Sequence, residues 1–371
     1  MPEIPNRAQT EDSTSFSPDA YFEAWEKGDI TAPYDNDFRK FILSTFGLPH
    51  DDTYTYAAVA EVSLLQAQTY VEFGGQGGLH AWYRDDEGKP PTLSSVQRPP
   101  PPAVDIAAYT NIFKSTTATQ KALVGLASNA KKDSIRASVG QHLQALYQPP
   151  SPDRKIVISK LKKEHTNPYF DVWAWSCQNL EWAGPEDATS KVRFSHAILP
   201  ILYHHFGCVC PSYESLSIIY QLAKGRTVLD LGSGNGYWSY MLRVFNKQKP
   251  LTVVPVDNGI SEWRTVWVGD TIQTDGVDYL KKNAHGKDQV LLLVYPQVGL
   301  EFTSKILKAY KGDTIICAGT QNSNGYTAFA KETIADWIAR EMPVFEKVCQ
   351  IPLPSFAAKD EALFAFQRKA S

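Results

Sequence analysis

The sequence predicts an α/β fold preceded by a mostly helical N-terminal region, and three observations carry that prediction. The first is Thr227 to Ser239, T-V-L-D-L-G-S-G-N-G-Y-W-S, where a short apolar run meets glycines at alternate positions and then helix-compatible residues. Glycine is needed where a backbone turns sharply or lies against a ligand, so this stretch reads as a strand, a tight turn and a helix start. The second is a series of apolar runs at 251–257, 289–294 and 313–319 that alternate with helical patterns. The third is a pair of strand-like segments, 345–353 and 362–368, joined by a charged turn.

A chain of 371 residues buries an ample core and fits about two domains, and its net charge of -3 announces neither a nucleic-acid nor a membrane partner. No apolar run approaches the roughly 20 residues needed to cross a bilayer. The five cysteines (Cys177, Cys208, Cys210, Cys317, Cys349) form no dense, even framework, which agrees with a reducing compartment. The expectation is a soluble intracellular protein, cytoplasmic with a nuclear location left open.

Residues 1–18 mix Pro, Ser, Thr and acids and predict a disordered tail. Residues 19–190 form the mostly helical region, with helices expected at Asp19–Lys27, Asp37–Phe46 and Ala57–Phe73; Phe38, Phe41, Ile42 and Phe46 recur on one face. G-G-Q-G-G at 74–78 reads as a flexible turn, since no Lys-Ser/Thr follows as a phosphate loop requires. The segment 88–102, ending in four prolines, is a linker that cannot enter a helix or a central strand. Helices follow over 104–148.

The basic stretch 154–163 precedes the aromatic segment P-Y-F-D-V-W-A-W at 168–175, a pairing that can serve single-stranded nucleic acid. Ile156, Ile158 and Leu161 also fit a half-buried element with its lysines in solvent, and tryptophans most often pack, so packing is the preferred reading. His204, His205, Cys208 and Cys210 crowd within seven residues without the spacing of paired zinc ligands, and no metal is expected. Ser212 then caps a helix leading into the first strand.

Gly232, Gly234 and Gly236 give G-x-G-x-G, whereas a dinucleotide fingerprint needs glycine where Tyr237 stands. Asp257 ends the second strand, at the rim where open α/β sheets bind ligands, and can accept both hydroxyls of a ribose. A short strand and Asp275 follow, with a helix over 277–282.

The block V-L-D-L-G-S-G-N-G resembles the first motif of the class I methyltransferases that use S-adenosylmethionine (SAM). The resemblance covers roughly 195–370 and narrows, through Gly236-Tyr237-Trp238, Leu292 to Pro296 and Asn324 to Ala328, to a poorly characterised G-x-G-x-G-Y-W group. It implies a Rossmann-like methyltransferase sheet over 191–371, mostly parallel with an antiparallel last strand. It also implies SAM as cofactor, bound by Asp230, Gly232, Ser233, Gly234, Gly236, Asp257 and Asp275, the last of these at the adenine amino group with Asp270 as its competitor. Where that group carries W-P-P-Y, this chain has Tyr295-Pro296-Gln297-Val298; the second proline and the aromatic that orient an amine are absent, which leaves Tyr295 and Gln297 as the catalytic candidates.

The function so implied is transfer of a methyl group to an acceptor that is a small molecule, a protein or RNA. The alternatives are a SAM-binding scaffold without catalysis and an RNA methyltransferase that uses the 154–163 stretch.

Overall fold

A computed structural model describes residues 8–369 except 14, 59, 75–81, 84–99, 193–195 and 300. The linker expected at 88–102 lies outside the described residues apart from Pro100 to Pro102, as does the 74–78 turn apart from Gly74. Among the described residues no helix is long and apolar enough to cross a membrane.

The tail expected over 1–18 is anchored in its second half. β1 (Gln9–Thr10) pairs antiparallel with Val266 and Thr265, and the buried Thr10 hydroxyl shares a 2.8 Å hydrogen bond with that of Thr265. Polar composition hid this pairing, because two backbone ladder positions need no apolar side chains. α1 (Pro18–Lys27) and α2 (Phe38–Phe46) form as expected, the latter capped by Asp37 and burying Phe38, Phe41, Ile42 and Phe46.

The helix expected from Ala57 begins later. β2 (Thr55–Ala57) and β3 (Glu61–Ser63) make a hairpin in which Tyr56 and Val62 point inward between exposed neighbours, a period of two rather than 3.6. A Ser63–Gln66 capping box then starts α3 (Leu64–Phe73). After the linker come α4 (Ala103–Asn111), α5 (Thr119–Ser128) and α6 (Ile135–Leu146).

The basic stretch runs irregularly, with Ile156 and Ile158 against the core and Lys160, Lys162 and Lys163 exposed. α7 (Pro168–Asn179) buries Tyr169, Phe170 and Trp173, so those three rings pack in the core and are closed to base stacking. α8 (Ile198–Phe206) ends in the two histidines. His204 bonds the Tyr54 hydroxyl and the Ala57 carbonyl, and His205 bonds the hydroxyls of Tyr56 and Thr265. The pair therefore ties α8 to the hairpin and to the strand facing β1.

α9 (Tyr213–Ala223) delivers the chain into β4 (Val228–Leu231), followed by α10 (Tyr237–Val244), β5 (Val253–Asp257), β6 (Thr265–Val266), β7 (Ile272–Gln273), α11 (Gly276–Lys282), β8 (Val290–Val294), α12 (Phe302–Ala309), β9 (Thr314–Thr320), α13 (Ile334–Glu341), β10 (Phe345–Pro352) and β11 (Glu361–Arg368). The main sheet runs β10-β11-β9-β8-β4-β5-β7. β7, β5, β4, β8 and β9 pair in parallel, while β11 enters antiparallel between β9 and β10. The last strand in sequence is thus the inserted antiparallel one.

Strand alternation divides the core. Leu229, Leu291, Ile315 and Phe364 face α11, α12 and α13, whereas Val228, Leu292, Ile316 and Leu363 face the N-terminal helices, α9 and α10. Both faces are covered, so the strands read as unbroken apolar runs. The N-terminal region and the sheet share one core on the second face.

His142 of α6 reaches from that face to the sheet's rim, bonding Asp360 at 2.9 Å and Asp187 at 2.9 Å. Burial lowers the affinity of this imidazole for protons, but the bonds and charges of Asp360 and then Asp187 outweigh it and raise its pKa from 6.5 to about 9. A histidine raised on folding stabilises fully below its unfolded value and loses that contribution as pH climbs through the folded one. The urea midpoint should therefore decline between pH 6.5 and about 9, and His142→Gln should flatten that part of the profile. Identical slopes for both proteins would refute the bridge's role.

Candidate functional site

The loop between β4 and α10 lies at the carboxyl ends of the parallel strands, between neighbours on either side of the central β4, the place where such sheets bind ligands. Gly232, Gly234 and Gly236 have φ of 76°, 55° and 80°, all in the left-handed region that penalises a Cβ. Space matches conformation: a Cβ on Gly236 would stand 2.3 Å from Val268 Cγ2, and one on Gly234 would stand 2.8 Å from Trp263 Cζ2. The ring of Phe302, from the start of α12, lies 3.4 Å from the corresponding point on Gly232.

The loop's amides turn inward. Gly232 and Ser233 donate to the Val256 carbonyl at 2.8 and 3.1 Å, and Gly236 donates to the Ser233 carbonyl at 3.0 Å. The Gly234 amide donates to Asp257 Oδ2 at 2.9 Å, while Asp257 Oδ1 takes the Gly259 amide at 2.8 Å. A phosphate cradle works the other way, presenting such amides to the ligand. These four therefore suit a ligand without phosphate, in agreement with the glycine spacing. Ser233 Oγ and Asn235 Nδ2 are buried without partners, two polar groups held in reserve at the loop.

Asp230 sits beneath the loop at 0% exposure and accepts from the Ser239 hydroxyl at 2.7 Å, pinning the first turn of α10. Burial raises its pKa to about 7, and its Oδ1 has no partner. Asp275 stands on the rim, two residues past β7, and caps α11 through Oδ1 with the amides of Val277 and Asp278. The Thr274 amide donates to the Asp257 carbonyl at 2.9 Å and so keeps the two acids on adjacent strand ends. Asp270 is elsewhere: Arg243 grips both its oxygens at 2.8 Å and also donates to the carbonyl of Val253, at the start of β5. That is the amino end of β5, away from the carboxyl ends that carry Asp257 and Asp275.

Tyr295 directly follows β8 with φ of 48°, its amide bonded to the Ala318 carbonyl at 2.8 Å. Burial holds its phenol well above the usual range. Gln297 is exposed at the rim and reaches Ser261 Oγ at 3.5 Å. The Pro296 carbonyl takes the Ala328 amide at 2.7 Å, joining this segment to the 321–328 loop.

The K-D-E segment at 359–361, expected as a charged turn, is buried. Lys359 and Glu361 are each 1% exposed, at the same rim, because Glu361 pairs with Thr320 at the carboxyl end of β9. Sequence reasoning passed over both. The available signal was three charged residues between the apolar segments S-F-A-A and A-L-F-A-F, which leave little surface for them.

Neither a protein-family model nor a curated protein matches the sequence. Among solved structures the chain is similar to the methyltransferase domain of bacterial CtHen1, at 11% identity over 41% of this chain and 96% of that one, with a TM-score of 0.30. It is also similar to a SAM-dependent methyltransferase from Aquifex aeolicus, at 14% identity over 42% and 89% of the two chains and a TM-score of 0.24. The citrinin polyketide synthase CMeT domain aligns at 11% identity over 69% and 71%, with a TM-score of 0.28.

Proposed function

We propose that this protein is a SAM-dependent methyltransferase. The observation that carries the reading is the inward-turned glycine loop clasped to Asp257: its left-handed glycines make the tight turn at the strand end, its amides leave no phosphate cradle, and its acid stands where a ribose would be held. The unpartnered Ser233 hydroxyl fits the methionine end of the cofactor. Asp257 would take the ribose hydroxyls and Asp275 the adenine amino group, each keeping carboxylate lone pairs beyond its present bonds. Asp230 acts from below by fixing α10.

When bound, the cofactor supplies an electrophilic methyl group. The protein's share is to bind it, orient the acceptor and exclude water. Tyr295 and Gln297, on the strand end beside the glycine loop, are placed to orient that acceptor.

Calorimetry with SAM and its demethylated product S-adenosylhomocysteine tests the reading. Wild type should bind both, and Asp257→Ala should weaken each about 10- to 100-fold, from loss of charged hydrogen bonds to ribose of about 1.5–3 kcal/mol. Binding of neither by wild type would end the proposal.

A further inference from the structure

Behind the rim, on the face of the sheet that meets the N-terminal helices, Tyr203, Cys208, Tyr295, Tyr326, Lys359 and Glu361 lie close together. Lys359 Nζ lies 3.5 Å from the centroid of the Tyr326 ring and has no hydrogen-bond partner. The hydroxyl of Tyr203 is likewise buried and unpartnered, and the carboxylate of Glu361 is buried beside Ser355 and the amide of Phe356 with no ideal hydrogen bond. The rings of Tyr203 and Tyr295 stand 6.4 Å apart. Lys359, Cys208 and Tyr295 each feel the charge of Glu361, so the groups are near neighbours.

Burying an unpaired charge is costly, and orphaned polar atoms in a folded protein call for a partner that binds later or for a chemical role. Buried polar side chains gathered in one place are poor packing, which points to a chemical role. The backbone around them is held against its own preference: Tyr295, Ala328, Ala358 and Asp360 all have positive φ, at 48°, 58°, 69° and 57°. A frame of bonds enforces it. Asn324 Nδ2 donates to the carbonyls of Ala358 and Lys359, and Asp360 is gripped by Gln321, Asn322 and His142. Strain maintained by this many contacts is typical of sites that aim a side chain.

We propose that Lys359 and Glu361 are the catalytic pair of the acceptor site, and that the acceptor is a small aromatic compound carrying an acidic hydroxyl, a phenol or enol. This rests on the methyltransferase reading. An ammonium and a carboxylate standing near each other are matched to two developing features, an oxyanion and a departing proton. An amine acceptor would gain nothing from an ammonium beside its lone pair. The tyrosine rings supply an aromatic enclosure, and 1% exposure of both charged residues closes the site to the surface of a folded macromolecule.

In the step so defined, Glu361 takes the proton of the acceptor hydroxyl, and Lys359 holds the oxyanion. The oxygen's electron pair then forms the bond to the methyl carbon as the bond from that carbon to the cofactor's sulfur breaks, its electron pair staying on sulfur. The proton leaves Glu361 for water when product departs. Burial raises the carboxyl of Glu361 and lowers the ammonium of Lys359, the directions that bring both toward neutral pH, where proton transfer is most effective.

The test uses the full chain saturated with S-adenosylhomocysteine and para-nitrophenol as probe, whose phenolate absorbs visible light and whose phenol does not. Bound to wild type, the probe should ionise at lower pH, with its phenolate-to-phenol ratio raised about tenfold at fixed pH, a shift of one pKa unit. Lys359→Met should remove the shift, while Glu361→Gln should keep it. With SAM, Glu361→Gln should slow methylation of the weakly acidic para-cresol about 100-fold and that of para-nitrophenol far less. Both variants should keep cofactor affinity, whereas a purely structural pair would lose stability on either change without moving the probe's ionisation or the ratio of the cresol and nitrophenol rates. Cofactor binding without any para-nitrophenol shift in wild type overturns this proposal and leaves the methyltransferase reading standing; absence of cofactor binding fells the reading itself.

Discussion

Arg264→Met will lower the free energy of unfolding by about 3–5 kcal/mol, measured by urea denaturation at neutral pH. The Arg264 side chain is 0% exposed, and its guanidinium is paired with Asp52, itself 2% exposed, and with Asp12 at 3.3 Å. It also donates to the Tyr56 hydroxyl at 2.6 Å and stands 4.4 Å over the ring of Tyr54. Removing it strands the carboxylate of Asp52 in a place water does not reach, and that uncompensated charge is the larger part of the cost. Pairing the change with Asp52→Asn should recover much of the loss, since the two residues act as one unit. A loss below about 1 kcal/mol, the range of a surface ion pair, would show that the site is solvated.

The second large effect is expected at Gly236. Alanine there must adopt φ of 80° and place its Cβ 2.3 Å from Val268 Cγ2. The conformation costs about 1–2 kcal/mol, and forcing a methyl into packed space costs about 1–3 kcal/mol more. Val268→Ala in the same chain should relieve the steric part and leave the conformational part, so the double-mutant cycle separates them. Because Gly236 ends the loop proposed to hold SAM, Gly236→Ala should also abolish SAM binding in calorimetry. Unchanged stability and affinity would contradict both the geometry and the site.

The side of the rim proposed to hold the cofactor was legible as structure because its signals are local. Glycine spacing describes a loop within five residues, β-branched runs describe strands, Asp257 closes one of them and Asp275 stands two residues past another. Even the α13 helix, which went unread, carries a capping box at Thr333 and Asp336 and buries Ile334, Trp337 and Ile338 at helical spacing. The proposed acceptor side was illegible for a different reason. Tyr203, Tyr295, Tyr326 and Lys359 come from four separate segments, and only the packing of α8 against the strand ends brings them together. Lysine, aspartate and glutamate in a row imply solvent by composition, and tertiary enclosure reverses that. The β2–β3 hairpin was misread because Ala57 to Ser63 has no strong strand formers beyond two valines, so a helical period could be imposed on it.

The two-residue pairing of β1 with β6 bears on how this protein could be shortened. β6 follows Trp263 and Arg264 within two residues, so the chain near position 10, the hairpin at Tyr56 and the imidazole of His205 jointly fix the ring that lies against Gly234. A fragment begun at residue 191 would keep every strand of the main sheet and every glycine of the loop. It would also strip from the face of Val228, Leu292, Ile316 and Leu363 the N-terminal helices that cover it together with α9 and α10, and release the segment that shapes the loop's outer surface. The N-terminal half is in that sense a wall of the same room, and the loop's shape is a property of the whole chain.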